Sequence, residues 1–235
     1  MPPTYPPLSL PAVLFAHRGA RAHAPENTVE AFRLALRLGA TGIRSTAWCS
    51  ADGSAVFDAS GSVGGRFRRR SIAETAAADL PEHLVTLTDL YRDIGADFEL
   101  YLELPDPAAL DPVLSAASAN GALARLWLSH PDLEELASWR GRCGAARLVH
   151  STRITSMERG PEHHGARLRE LGVDAVDLHH MEWGAGSVAL YHRFGRYCIG
   201  SDAQQERVVV SLLGMGIDGV VSDHVDRMVD STATI

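Results

Sequence analysis

Short runs of apolar and β-branched residues alternate with longer stretches in which apolar positions recur every three or four residues. The strand-like runs are Ala12–Ala16, Thr41–Thr46, Phe98–Leu104, Arg125–Ser129, Arg147–His150, Ala175–Leu178, Arg196–Gly200 and Gly219–Ser222. Between most of them lie stretches of helical spacing: Thr28–Leu38, Leu87–Ile94, Ala108–Asn120, Asp132–Trp139, His164–Leu171, Ala185–Phe194 and Gln204–Met215. Strand and helix in strict alternation predict a (β/α)8 TIM barrel of the α/β class. A length of 235 residues suits one such domain spanning the chain. The last strand is followed only by a short tail.

One segment departs from the alternation. Ala55–Phe57 is strand-like but follows Thr46 closely, with Asp52-Gly53 between. An Asp-Gly pair flanked by strand-like runs is a hairpin signal. Ala47–Asp58 is therefore read as an antiparallel excursion that folds Asp58 back toward Thr46. A short glycine- and arginine-containing insertion, Ala59–Leu84, comes next.

In such barrels the chemistry sits where strands end and the following loops begin. The polar residues at those points are His17 and Arg18, Arg44 and Thr46, Asp58, Glu103, Ser129 and His130, His150, Asp177, His179 and His180, Ser201 and Asp202, and Ser222 and Asp223. His17-Arg18-Gly19 follows a buried strand. Pro25-Glu26-Asn27-Thr28 then opens a helix, with Asn27 or Thr28 as its cap. Ala31-Phe32, Gly39-Ala40-Thr41-Gly42-Ile43, Asp52-Gly53, Thr86-Leu87, Leu102-Glu103-Leu104 and Gly216-Ile217-Asp218-Gly219-Val220-Val221-Ser222-Asp223 complete a pattern that covers nearly the whole chain. The pattern resembles the glycerophosphodiester phosphodiesterase family.

That resemblance implies a (β/α)8 barrel with a small insertion, cleaving glycerophosphodiesters to glycerol 3-phosphate and an alcohol. It implies a divalent ion, Mg2+ or Ca2+, held by a Glu-x-Asp pair on the second strand and a Glu on the third. It also implies two catalytic histidines, one in His-Arg-Gly and one in a His-Asp pair ending the hairpin. Matched residue by residue, His17 takes the place of the first histidine and Arg18 that of the phosphate-binding arginine. Glu26 and Asn27 fall in the substrate-side box, and Glu103 at the third-strand ligand.

Other positions depart from the pattern. Arg44 and Thr46 stand where the Glu-x-Asp pair belongs, and alternate strand residues share a face, so both should point into the mouth. Asp58 either replaces the second histidine or is the old aspartate beside a deleted histidine. Pro105 stands where the family carries a lysine, and Ser201-Asp202 where it carries Trp-Thr. Arg44, Thr46 and Glu103 together hold a net charge near zero without any metal. A divalent ion beside a guanidinium is disfavoured by several kcal/mol at an effective dielectric of about 20. No metal cofactor is therefore expected, and Arg44 is expected to pair with Glu103. His17 and Asp58 remain candidate acid–base groups; Arg18, Glu26, Asn27 and Arg44 are candidate phosphate or substrate contacts.

Composition narrows the partners. The chain carries 29 acidic against 22 basic residues, net −7, so nucleic acid is not expected as a partner. Its basic residues are all arginine, which excludes Schiff-base lysine chemistry and a P-loop. The run Arg66-Phe67-Arg68-Arg69-Arg70 is read as a solvated loop. No apolar run reaches membrane-span length, the proline-rich start does not resemble a secretory signal, and a cytoplasmic location is expected. Cys49, Cys143 and Cys198 form neither a zinc nor a redox spacing. His163 and His164 are expected to be exposed at a helix start. His179 and His180 are expected to point opposite ways, too far apart to share an ion. Trp48, Trp127, Trp139 and Trp183 are read as packing residues.

Three readings of function follow. The leading one is a degenerate phosphodiesterase barrel that binds a small phosphorylated ligand, a glycerophosphodiester among the candidates. The second is an active phosphoric diester hydrolase of lipid and glycerol metabolism with atypical ligands. The third is a barrel turned to metal-free chemistry by His17, Asp58 and Asp177.

Overall fold

A computed structural model describes residues 6–64 and 69–234. Its strands are β1 (Val13–His17), β2 (Gly42–Cys49), β3 (Ala55–Phe57), β4 (Ser62–Val63), β5 (Arg70–Ser71), β6 (Glu99–Glu103), β7 (Leu126–His130), β8 (Arg147–Ser151), β9 (Ala175–His179), β10 (Tyr197–Ser201) and β11 (Gly219–Ser222). The α-helices are α1 (Val29–Arg37), α2 (Leu87–Ile94), α3 (Leu110–Ala119), α4 (Leu133–Ser138), α5 (Gly160–Leu171), α6 (Ala185–Arg193), α7 (Glu206–Gly214) and α8 (Val225–Asp230). The parallel strands run β1-β11-β10-β9-β8-β7-β6-β2, and β2 pairs back onto β1, closing a (β/α)8 barrel. The hairpin strand β3 pairs antiparallel with the end of β2, Ala47 opposite Phe57.

Two features differ from the sequence expectation. The tail after the last strand is itself helical: Val225 and Met228 of α8 are buried, three residues apart on one face. The insertion carries a small antiparallel ribbon, with Ser62 opposite Ser71 and Val63 opposite Arg70. Residues 66–68 of the arginine run lie outside the described residues; Arg70 is exposed and donates to the Asp79 carbonyl at 3.3 Å. No helix is long and apolar enough to cross a membrane.

Alternating strand positions separate two apolar layers. Outward residues such as Leu14, Ile43, Leu100, Leu128, Leu148, Val176, Cys198 and Val220 pack under the helices. Inward ones, Val13, Phe15, Tyr101, Trp127, Val149, Ala175, Ile199 and Val221, fill the barrel. Phe15 meets Tyr101 and Trp127 edge-on at 5.7 and 5.9 Å between centroids. Its ring takes the space of a missing side chain: a Cβ at Gly42 would lie 2.7 Å from Phe15 and 2.9 Å from the Glu99 carbonyl. The barrel is thus plugged by aromatic rings below, which leaves the next inward layer to polar side chains.

Histidines 150 and 164 correct one expectation. His164 is buried, because the start of α5 lies against β8. His150 Nε2 faces only the Pro131 carbonyl, at 3.3 Å, and so carries its proton. His150 Nδ1 then accepts from His164 Nε2 at 2.9 Å, and His164 Nδ1 accepts from the Tyr191 hydroxyl at 2.9 Å. The neutral chain satisfies every nitrogen and ties β8, α5 and α6 together. Burial, together with His150 and His163, lowers the His164 pKa to about 4.

Two outcomes follow from this packing. Gly42→Ala should lower unfolding stability by about 1–3 kcal/mol in urea titration, the usual cost of overpacking; an unchanged midpoint would contradict the plug. The folded-state pKa of His164 lies below its ordinary 6.5, so its contribution is full above pH 6.5 and declines as pH falls toward 4. At about 1.4 kcal/mol per pKa unit, the loss over that window approaches ~3 kcal/mol. The stability gap between wild type and His164→Gln should narrow over the same window. A gap independent of pH would contradict it.

Candidate functional site

The inward positions at the carboxyl ends of the strands form one polar layer: His17, Arg44, Glu103, Asp177 and Ser201, with Asp223 just past β11. Strand register sets it. His17 pairs with Arg44 across β1 and β2, and Thr46 with Glu103 across β2 and β6.

Arg44 is the hub. Its Nη2 lies 3.5 Å from Glu103 Oε2 and 3.7 Å from Asp177 Oδ2, and its guanidinium sits 5.0 Å over the Tyr101 ring. Asp177 is 1% exposed. It also accepts from the Tyr101 hydroxyl at 2.9 Å and from the Ser201 hydroxyl. Burial raises the Asp177 carboxyl above its ordinary range, against the pull of Arg44, Ser201 and Tyr101. Burial works against the charge on Arg44 too, but Tyr101, Asp177 and Glu103 more than offset it and hold the guanidinium charged. Sequence reasoning placed Asp177 at the mouth but missed that it shares this guanidinium. The available signal was parity, since positions 44, 103 and 177 all fall on inward sites of their strands.

His17 is oriented by Asp223. Its Nδ1 lies 2.8 Å from Asp223 Oδ1. Burial resists the charge on Asp223, but the bond from His17 and the neighbouring Arg21 keep its pKa low. An ionised carboxylate only accepts, so Nδ1 carries the proton and Nε2 presents a lone pair. Burial lowers the His17 pKa, opposed by Asp223 and assisted by Arg44 and Arg18, so the ring is neutral near pH 7. A base held in one tautomer by a carboxylate is an arrangement suited to proton transfer.

A cavity of about 260 Å3 opens here, lined by His17, Arg21, Arg44, Ser201, Asp202, Gln204, Val221 and Asp223. Of the candidate acid–base and phosphate-contact residues, His17 and Arg44 are on its wall, with Ser201, Asp202 and Asp223 from the wider set of strand-end residues. Arg18 instead gives its Nη1 to Glu26 at 3.0 Å. Glu26 also takes Arg21 Nε at 3.3 Å, which turns the Arg21 head toward Asp223. Asn27 is buried, and its side-chain oxygen accepts from the Ser45 hydroxyl at 2.6 Å. The Asp58 Oδ1 accepts from the backbone amides of Ser60 and Gly61, at 2.7 and 2.8 Å, and caps that turn. Arg21 was missed by sequence reasoning because only the loop's path brings it back over the mouth.

The loops that carry these groups are strained into place. Arg18, Asn27 and Asp202 adopt positive φ, at 55°, 59° and 63°. All three lie in loops at the mouth, where such strain tends to collect at functional sites. Backbone bonds from Arg18 to the Arg44 carbonyl (2.6 Å) and from Asn27 to the Arg18 carbonyl (3.0 Å) hold the first two. Gly19, at φ 83°, lies so close to α1 that a Cβ would meet the Ala31 carbonyl carbon at 2.7 Å.

His179 and His180 also differ from expectation. The chain leaves β9 at His179 and enters a 3-10 turn, so the two rings lie together, 4.4 Å apart.

No protein-family model matches the chain. No curated protein sequence matches it either. Solved structures do. A glycerophosphodiester phosphodiesterase from Thermotoga maritima superposes with a TM-score of 0.80 and 21% identity, covering 93% of this chain and 97% of that one. A phosphodiesterase from Oleispira antarctica, solved in complex with its product sn-glycerol-3-phosphate, gives 0.81 and 18%, covering 94% and 96%. The chain therefore shares, over nearly its whole length, the fold of glycerophosphodiester phosphodiesterases.

The Arg44 hub makes a stability prediction. Arg44→Met leaves Asp177 buried without its cation and should cost about 3–5 kcal/mol, as breaking buried pairs does. In an Asp177→Asn background the same change should cost much less. Additive losses in a double-mutant cycle would show that the two groups do not interact.

Proposed function

We propose that this chain is a phosphodiesterase-like barrel that binds a small phosphorylated polyol through the anion-binding part of its mouth and has given up metal-assisted hydrolysis. The observation that carries the reading is the position of Arg44, whose guanidinium lies between Glu103 and Asp177. The residues present do not suit the divalent ion implied by the resemblance. Arg44 and Thr46 supply no carboxylate, and both Asp177 oxygens already accept hydrogen bonds. An ion placed about 4 Å from the guanidinium would meet a repulsion of several kcal/mol.

The cavity wall suits a phosphate joined to hydroxyls. Arg21 and Arg44 offer donors to an anion, joined by His17 once it is protonated, and a guanidinium matches phosphate oxygens in geometry. Asp202 and Asp223 offer acceptors to hydroxyl groups. The buried Nε of Arg44 has no hydrogen-bond partner among the described residues; a buried donor of this kind calls for one. At about 260 Å3 the cavity is below the ~300–1,000 Å3 of drug-sized ligand pockets, in keeping with a small ligand. That a structural neighbour holds sn-glycerol-3-phosphate supports the same ligand class.

A second reading rests on the His17–Asp223 pair. With Nε2 free and facing the cavity, His17 is equipped to act as a base without a metal. Asp58, engaged in its own turn, plays no part in either reading.

The experiment is titration of the chain with sn-glycerol 3-phosphate in the presence of chelator, followed by thermal melting and calorimetry. The phosphate should stabilise the protein, and Arg21→Ala should weaken binding by roughly tenfold, about the 1.4 kcal/mol of one charge-assisted contact. His17 gains its charge only below pH 6.5, so affinity should rise as pH falls below that value and His17→Gln should remove the rise. Hydrolysis of glycerophosphodiesters should stay at background with Mg2+ or Ca2+. Metal-stimulated turnover that Glu103→Gln abolishes would overturn the reading in favour of an active hydrolase. Turnover in chelator that His17→Gln abolishes would favour the second.

A further inference from the structure

Three groups of side chains among the described residues bring histidine, cysteine or carboxylate ligand atoms within 4.8 Å of one another. They are His192, Cys198 and Asp218; His179, His180 and Asp202; and His23, His224 and Asp226. Their hydrogen bonds set them apart.

The first group is sealed in the barrel wall. Asp218 already accepts from the Leu8, Ser9 and Cys198 amides and from His192, the last at 2.7 Å. Its carboxylate fastens the start of the chain to the bottom of the barrel and has no room for an ion. In the second group, His179 Nδ1 accepts from the Met181 amide at 3.3 Å, which places the ring proton on Nε2, facing Asp202 at 3.1 Å. Both nitrogens of that ring are engaged in a way that opposes ligation.

The third group carries no such conflict. His23 Nε2 lies 3.1 Å from Asp226 Oδ1, and no hydrogen bond engages His23 Nδ1 among the described residues. Without an ion Nε2 donates to the Asp226 carboxylate; when an ion arrives the ring proton can move to the unengaged Nδ1 and free Nε2 as a ligand. The His224 ring makes no hydrogen bond among the described residues and stands edge-on to His23, 6.4 Å between centroids. The backbones are fixed independently. His23 and Ala24 donate to the Ala20 carbonyl at 2.8 and 3.0 Å, and the His224 amide donates to the Ser222 hydroxyl at 3.1 Å. The Asp226 side chain is 44% exposed, so an arriving ion meets little desolvation cost.

We propose that His23, His224 and Asp226 form a binding site for a divalent transition ion of the zinc class. Two imidazoles and one carboxylate are a ligand set that zinc accepts, with water completing the shell. At bond lengths near 2.0–2.1 Å, tetrahedral ligand atoms stand about 3.4 Å apart. His23 Nε2 and Asp226 Oδ1 already meet that spacing, and the His224 nitrogen, within 4.8 Å of both, has at most an ångström or so to close, a movement that side-chain rotation supplies at an exposed site. Nitrogen ligands favour zinc over Mg2+ or Ca2+, which prefer oxygen. The ion would join the loop after β1 to the start of α8. Those two segments also carry Arg21 and Asp223 of the mouth cavity, so the site would act as a clamp on one cavity wall. It uses no residue of the proposed ligand site and does not depend on that proposal.

The test is titration of the chelator-stripped full chain with Zn2+ by calorimetry and thermal melting. A single ion should bind and raise the melting temperature, because it binds the folded state alone. His23→Ala and His224→Ala should each lower affinity by at least the roughly tenfold typical of losing even an outer-shell partner. Both variants should keep the metal-free melting temperature, since neither side chain is buried. His179→Ala should leave zinc binding unchanged, and Ca2+ should not compete. Absence of saturable zinc binding would overturn the proposal. So would binding that survives the His23→Ala/His224→Ala double change, or binding lost in His179→Ala.

Discussion

The mouth of this barrel is organised by one guanidinium. Arg44 lies within 4 Å of Glu103 on the neighbouring strand β6 and of Asp177 on β9, four strands round the wall. Removing Arg44 would leave two carboxylates, one of them fully buried, without their shared cation, so the guanidinium holds the group together. Beneath them Tyr101 serves two layers. Its ring packs edge-on to Phe15 in the apolar plug, and its hydroxyl donates to Asp177. The polar layer is therefore seated directly on the core, and its geometry is fixed by the barrel rather than by loops.

Around that hub the loops are shaped by backbone as much as by side chains. Positive φ at Arg18, Asn27 and Asp202 turns the chain sharply at the two loops that border the cavity. The Ser45–Asn27 bond and the close approach of Gly19 to α1 hold the first of these turns. The result brings Arg21 and Glu26 over the mouth and leaves His17 oriented by Asp223. The loop after β1 also carries His23, and the segment between β11 and α8 carries His224, so imidazoles lie next to the polar cavity wall.

Much of this was legible in the residue pattern. The eight parallel strands follow from alternation, and the hairpin from Asp52-Gly53. Thr28 caps α1 through the Ala31 amide, one of the two caps expected. What escaped was long-range. Asp177 meets Arg44 only because the barrel closes, and periodicity along a strand does not say which strands face one another. His164 looked exposed as a polar residue at a helix start. Its burial depends on His150 and Tyr191, far apart in sequence, which satisfy both of its nitrogens. The stacked His179 and His180 rings required knowledge that the strand ends at the first of them. The helix α8 was too short, at six residues, for its spacing to stand out.

On the proposed reading Arg44 stands where a divalent cation would otherwise be held, and a pair of thermal melts with and without Ca2+ tests this most directly. Wild-type protein should melt at the same temperature in both conditions. The Arg44→Glu/Thr46→Asp variant, which places two new carboxylates beside Glu103, should be destabilised in chelator by repulsion among its carboxylates and regain stability when Ca2+ is added. A wild-type chain stabilised by Ca2+ to the same degree as the variant, with that effect lost in Glu103→Gln, would contradict the account.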